Sequence, residues 1–319
     1  MIFGPVIRQA IPKVRVIVLF GQSNAVGRHD GSRIANTAYN YKGIAAGYPA
    51  ARTTQAQYTA TPDDVLIYHK DLFFDDDQSV DNGTWVAYQA GVNSAPKTVT
   101  SILFWGSELS CATQLQEATG DVVAVIKAAW NSTGLSRSLT NSQAPGNWNN
   151  ASRLAAVEYY LKRGIRDLKT LYPNHRIEVN AVNWWQGEND GSGSIPNADY
   201  QRQFLELKSY VDKAIAGLVV QEAGRKHIWN LTLLDFNRSV GEGAINSAIT
   251  ALAAAYDDIY TVNAAGYPQS DELSSAEAAP VAVGSPNANG WTDDNHSSYI
   301  GQLAVGEQQF ANIQTAGLI

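Results

Sequence analysis

Three short segments carry residues suited to acyl-transfer chemistry. The first, Phe20-Gly21-Gln22-Ser23-Asn24-Ala25-Val26-Gly27, follows the apolar run Val14 to Leu19. A buried strand there delivers one serine into a glycine-flanked turn, at the carboxyl end of a strand, where α/β proteins place their chemistry. The second, Trp185-Gln186-Gly187-Glu188-Asn189-Asp190, offers side-chain amides. The third, Thr292-Asp293-Asp294-Asn295-His296, offers a base and carboxylates to orient it. A serine hydroxyl is unreactive at neutral pH until a base takes its proton. Ser23 is therefore the candidate nucleophile and His296 the candidate general base. Among the five histidines, His296 has a carboxylate three residues before it beside an oncoming helix, with Ser297-Ser298 opening Tyr299–Phe310. Asp293 is the candidate for orienting the imidazole, and Asp294 is its rival. Capping of the following helix is the structural alternative for Ser23.

In this order, the three segments resemble the SGNH (GDSL-type) hydrolase superfamily. The details Gly-Gln-Ser-Asn-Ala and Trp-Gln-Gly-Glu are similar to the branch that holds family 6 carbohydrate esterases and sialate O-acetylesterase-like domains. The matching motifs amount to roughly twenty-five residues spread over most of the chain, and the chain lacks the Gly-x-Ser-x-Gly elbow of α/β-hydrolases. The resemblance implies a three-layer α/β/α, flavodoxin-like fold and a triad of Ser23, His296 and Asp293. It also implies an oxyanion hole built from the Ser23 backbone N–H, a glycine N–H and an asparagine side chain. Gly106, in Trp105-Gly106-Ser107-Glu108, fits the glycine, with a plain helix-start turn as its structural alternative. Asn189, in Gly187-Glu188-Asn189-Asp190, fits the asparagine. Gln22, Asn24, Gln186 and Glu188 read as polar groups that lock the site by hydrogen bonds. Glu188 is also an alternative acid partner. Trp105 and Trp185 are candidate aromatic contacts for a sugar, against core packing as the structural alternative. The implied activity is removal of O-acetyl groups from carbohydrate through an acetyl-enzyme, with acetylxylan, sialic acid or another polysaccharide as substrate. A glycan-binding module of a phage tail or cell-surface assembly, and a lipase or thioesterase, are the alternatives.

The elements that must position these residues alternate. Apolar, β-branched runs at Val14–Phe20, Val65–Tyr68, Val122–Ala128, Ile177–Trp185 and His227–Leu234 read as strands, with Ile259–Val262 as a short sixth. Near-continuous apolar runs suit parallel strands covered on both faces. Between them, Tyr200, Phe204, Leu207, Val211, Ile215 and Leu218 recur at steps of three and four, one stripe of a helix. Leu154, Leu161, Ile165 and Leu168 repeat that signal in Ala151–Leu171, which stops before Pro173. Alternating strands and helices predict a parallel sheet of about five strands within a single domain spanning residues 1–319. Arg28–Asp64, Asp75–Thr100, Asn131–Asn150 and Asn263–Trp291 read as long loops, and the last three are expected to wall the site.

Composition narrows the partners. Net charge is −7 with no cluster of Lys and Arg, which argues against nucleic acid. No apolar run approaches the roughly 18 residues that a membrane span needs. The single cysteine, Cys111, rules out an intrachain disulfide and a Cys-rich metal site, and its neighbours Leu109, Ala112 and Leu115 read as a helix face. No His-Glu-x-x-His spacing or phosphate loop is present, so neither metal nor cofactor is expected. Asp75-Asp76-Asp77 lacks the EF-hand pattern and reads as a solvated loop. Met1-Ile2-Phe3-Gly4-Pro5 does not read as a signal peptide. A low charged fraction of 17%, beside abundant Asn, Ser, Thr and Tyr, suits an extracellular or particle-borne protein that handles sugars.

Overall fold

A computed structural model of the chain describes residues 11–27, 64–69, 83–89, 106–130, 133–136, 147–219, 221, 225–234, 240–264 and 299–319. Strands and helices alternate along them: β1 (Lys13–Gly21), α1 (Ser23–Val26), β2 (Val65–His69), β3 (Thr84–Ala87), α2 (Glu108–Thr119), β4 (Val122–Ala129), α3 (Ala151–Leu171), β5 (Arg176–Trp185), α4 (Glu188–Ser192), α5 (Asn197–Leu218), β6 (Ile228–Leu233), α6 (Val240–Ala255), β7 (Ile259–Asn263) and α7 (Tyr299–Thr315). The strands form one sheet in the order β3-β2-β4-β1-β5-β6-β7. Every neighbouring pair is parallel except β2 and β3.

Taken alone, β1, β4, β5, β6 and β7 have the flavodoxin-like order 2-1-3-4-5. The β2–β3 pair extends that sheet at one edge. All six strands expected from the apolar runs are present, so the expectation of about five rises to seven among the described residues. The extra one, β3, falls inside the stretch read as a loop. It is only four residues long, pairs antiparallel and has exposed ends around a half-buried Trp85 and Val86, so no apolar run announces it. Its Trp85 packs beside Tyr68, with ring centroids 5.2 Å apart.

Helices cover both faces, which is why the central strands are apolar at consecutive positions. Val14, Val16, Val18 and Phe20 of β1 share a core with Leu161 of α3, Phe204 of α5 and Ile249 of α6. Ile17, one step out of phase, shares a core with Leu109 and Leu115 of α2 and Leu303 and Ile313 of α7. The stripe read from sequence is the buried face of α5, where Tyr200, Phe204, Leu207 and Val211 are fully enclosed.

A run of amides fixes α7 to the sheet. Asn183 of β5 donates to Gln309 (2.9 Å), Asn230 of β6 donates to Asn183 (2.9 Å), and Asn312 donates to Asn230 (2.9 Å). Each buried amide oxygen in this run meets a donor, as burial requires. Against α2, α7 comes close enough that only glycine fits at Gly306. A Cβ there would lie 2.1 Å from the Ser107 carbonyl oxygen and 2.1 Å from Ser110 Oγ. Gly306→Ala is expected to lower stability by at least about 1–3 kcal/mol, the usual range for overpacking. Denaturant unfolding of the variant beside the wild type checks this; an unchanged midpoint would contradict the tight α2–α7 contact.

Candidate active site

The carboxyl end of β1 sits where the strand order reverses, between β4 and β5. Open α/β sheets bind ligands in the crevice at such a switch point. At its last residue, Gly21, the chain adopts φ 145°, and a Cβ would lie 2.0 Å from the Trp185 carbonyl oxygen. Only glycine tolerates both demands. The Gln22 N–H then donates to that same carbonyl at 3.0 Å, so the β1–β5 contact continues one residue past the strand. On the other side, the Trp130 N–H donates to the Gly21 carbonyl at 3.0 Å.

Ser23 is the first residue of α1 and is half-buried. Gln22 occupies the cap position without a side-chain capping bond, so helix capping does not account for Ser23. Its backbone N–H opens the helix, where no intrahelical carbonyl lies four residues back. The turn closes after four residues at Gly27, with φ 83°.

A second glycine turn follows β5. Gly187 has φ 150°, and Glu188, Asn189 and Asp190 open α4 immediately after it. The two turns are joined directly, because Asn24 Nδ2 donates to Glu188 Oε1 at 2.6 Å. Asn189 is half-buried, and its side chain has no hydrogen bond among the described residues. Gln186 is fully buried, donates to the Thr133 carbonyl at 3.1 Å and bonds the Asp190 carboxylate. Gln22 and Asn24 are buried as well; Asn24 bonds Glu188, whereas the Gln22 side-chain oxygen meets no donor among the described residues, so the hydrogen-bonding role expected of Gln22 is not seen. Asp190 was not singled out by the sequence reading. Its two oxygens accept the Leu135 and Ser136 N–H groups at 2.8 Å each.

Burial pushes the Glu188 carboxyl up to about 7; the Asn24 hydrogen bond opposes this, while the charges of Glu242 and Asp190 reinforce it. Burial also lifts Asp190, against the pull of its backbone and Gln186 donors.

Gly106 adjoins the Ser23 turn. A Cβ on it would lie 3.4 Å from the Ala25 carbonyl oxygen and 3.4 Å from Gly27 Cα. Its N–H donates to Glu108 Oε1 at 3.0 Å. The same oxygen accepts from Lys127 Nζ at 2.6 Å and Tyr88 OH at 3.0 Å, and the Lys127–Glu108 pair is fully buried. Burial lowers the Lys127 pKa and the Glu108 charge opposes that shift. The sequence reading missed this pair. Its signal was the lone lysine inside the apolar strand Val122–Ala129, a charge that needs a partner once buried.

His296, Asp293, Asp294 and Trp105 lie outside the described residues. The helix that His296 precedes is nonetheless anchored at Ser23's turn: Gln302 Nε2 of α7 donates to the Asn24 carbonyl at 3.1 Å. Trp185 is 1% exposed and packs with Leu19, Ala25, Val26 and Val262, so its ring is part of the core under α1. Trp130, Trp148, Trp184 and Trp229 are buried too.

No protein-family model matches the sequence, and no curated protein matches it. Solved structures do resemble it. A protein from Arabidopsis thaliana aligns with a TM-score of 0.56 and 14% identity, covering 95% of this chain and 99% of that one. NanS aligns with a TM-score of 0.53 and 12% identity, covering 97% of this chain and 98% of that one. A carbohydrate acetylesterase from Xanthomonas citri aligns at 0.46 and 13%, covering 96% of this chain and 57% of that one. At these identities the likeness is one of fold. That fold is the α/β/α sheet with helices on both faces implied by the SGNH resemblance, and this chain places its serine turn at the sheet's switch point.

The raised Glu188 carboxyl has a consequence for stability. Between the ordinary carboxylate range and about pH 7 the folded protein holds a proton that the unfolded chain has released. Stability therefore falls as pH rises through that window. Glu188→Gln keeps an oxygen acceptor for Asn24 and removes the titration. It is expected to gain on the order of 3 kcal/mol over the wild type near about pH 8, with the gain vanishing near about pH 4. Unfolding free energies of both proteins across that range decide it; a pH-independent difference would contradict a buried, neutral Glu188.

Proposed function

We propose that this chain is a serine esterase that removes O-acetyl groups from carbohydrate. The observation that supports it most is the direct joining of the Ser23 turn to the Gln186–Asn189 turn at the switch point, through Asn24 and Glu188. The Gln302–Asn24 bond adds to this, since it holds the first turn of α7 beside the Ser23 turn, and α7 begins three residues after His296.

In this reading His296 takes the Ser23 proton as Oγ attacks the acetyl carbonyl carbon, and Asp293 steadies the imidazolium. The carbonyl oxygen becomes an oxyanion facing the Ser23 N–H and the Asn189 amide. Gly106 is the third donor that the resemblance implies, and its N–H, held here by Glu108, would have to leave that oxygen to serve. Collapse breaks the bond from acyl carbon to sugar oxygen, and His296 returns its proton to the departing alkoxide. His296 next deprotonates a water that attacks the acetyl-enzyme, which releases acetate and restores Ser23. No step calls on a metal or cofactor. The half-buried setting of Ser23 suits a small acyl group, and acetylated xylan, sialic acids and bacterial polysaccharides are the carbohydrate classes to test. The sparse charge and polar composition favour an extracellular or particle-borne setting.

Release of acetate from 4-nitrophenyl acetate and acetylated xylan, wild type beside Ser23→Ala, tests the reading. Serine-dependent release from both is the expected result, with Ser23→Ala lower by at least about a thousandfold and still folded. Release from the small ester alone keeps the mechanism and moves the substrate to other acetylated glycans. Silence from folded wild-type protein would replace the esterase by a glycan-binding module.

A further inference from the structure

We propose that Asp190 is a positioning residue that sets the direction of the Asn189 amide; this rests on the esterase reading. α4 is five residues long, too short to hold its own shape by backbone bonds alone. The Asn189 side chain has no bond of its own to the described residues, so its direction is inherited from the backbone on either side. On one side, Glu188 is held by Asn24 at 2.6 Å. On the other stands Asp190, fully buried, with every described partner a donor: Leu135 N–H to Oδ2 at 2.8 Å, Ser136 N–H to Oδ1 at 2.8 Å, and the Gln186 amide to Oδ2.

The segment that grips Asp190 is itself fixed. Thr133 Oγ1 donates to the Trp130 carbonyl at 2.9 Å, Trp148 Nε1 donates to Thr133 Oγ1 at 2.9 Å, and the Trp148 N–H donates to the Gly134 carbonyl at 2.8 Å. Trp130 in turn bonds the Gly21 carbonyl, two residues before Ser23. A continuous series of contacts thus runs from the nucleophile's strand end, across the end of β4, to Asp190 and so to Asn189. A carboxylate can accept both backbone N–H groups, one on each oxygen. An amide cannot, because its nitrogen would face a donor.

An oxyanion donor acts only in the transition state, so turning it aside lowers kcat and spares KM. A purely structural carboxylate would instead reduce the folded fraction by the same factor in any background. A double-mutant cycle on 4-nitrophenyl acetate hydrolysis separates the two. Asn189→Ala is expected to lower kcat about a hundredfold, and Asp190→Asn about tenfold with KM nearly unchanged. In the Asn189→Ala background, Asp190→Asn is expected to change kcat by less than about twofold, because its route of action is gone. Equal losses in both backgrounds, or full activity of Asp190→Asn, would overturn the inference and leave the esterase reading intact. If Asp190→Asn does not fold, Gln186→Met, which removes one of the three donors, carries the same comparison. Wild-type protein without Ser23-dependent hydrolysis would overturn the esterase reading and this inference together.

Discussion

The parallel pairing of β1 with β5, carried one residue past the end of β1, is the constraint on which the rest of the site depends. The Gln22 N–H reaches the Trp185 carbonyl at 3.0 Å only because Gly21 brings the two backbones together without a side chain between them. That contact fixes where two glycine turns emerge. One presents Ser23, and the other presents Gln186 to Asp190. Because β1 has β4 as its other neighbour, the same strand end also meets Trp130 and the segment behind it. Helix α7, which begins three residues after His296, is held in place by the amide run over β5 and β6 and by Gln302 on the Asn24 carbonyl.

Buried ionisable groups surround this arrangement, and each burial costs free energy that hydrophobic residues would not. Glu108 and Lys127 neutralise one another at 2.6 Å with no exposure. Glu188 lessens the cost by holding its proton up to about pH 7, its carboxyl lifted by burial. Asp190 is surrounded by N–H donors on two neighbouring segments. Three acids near one site thus use three solutions: ion pairing, neutralisation and hydrogen bonding. All three hold backbone segments that come from different strands. These networks are not closed, since one oxygen each of Glu108 and Glu188 is buried without a hydrogen-bond partner among the described residues; what they fix is how the turns are placed relative to one another.

Much of this was legible in the sequence. The apolar runs of β1, β4 and β5 are buried on both faces, so their hydrophobicity is continuous and reads directly as central parallel strands. The helix stripe from Tyr200 to Leu218 is equally plain, because α5 buries a single face. Edge strand β3 escaped notice, since a four-residue antiparallel edge buries too little to leave a pattern. Helix α6, rich in alanine and small residues, gave no strong stripe either. At the site, glycine and polar residues clustered after strands made Ser23, Gly106 and Asn189 candidates, and their turns lie together in the structure. The roles of Asp190 and of the Glu108–Lys127 pair depend on partners 54 and 19 residues away, which spacing along the chain does not reveal. Trp185 shows the limit of composition: its neighbours on the chain are site residues, yet its ring belongs to the core.

The most direct test of the account is active-site labelling with a serine-directed fluorophosphonate, followed by intact mass measurement and peptide mapping. The account predicts one adduct per chain, on Ser23, formed slowly or not at all in His296→Ala although that variant folds. Absence of labelling in folded wild-type protein, or an adduct on any other residue, would contradict Ser23 as an activated nucleophile at the end of β1.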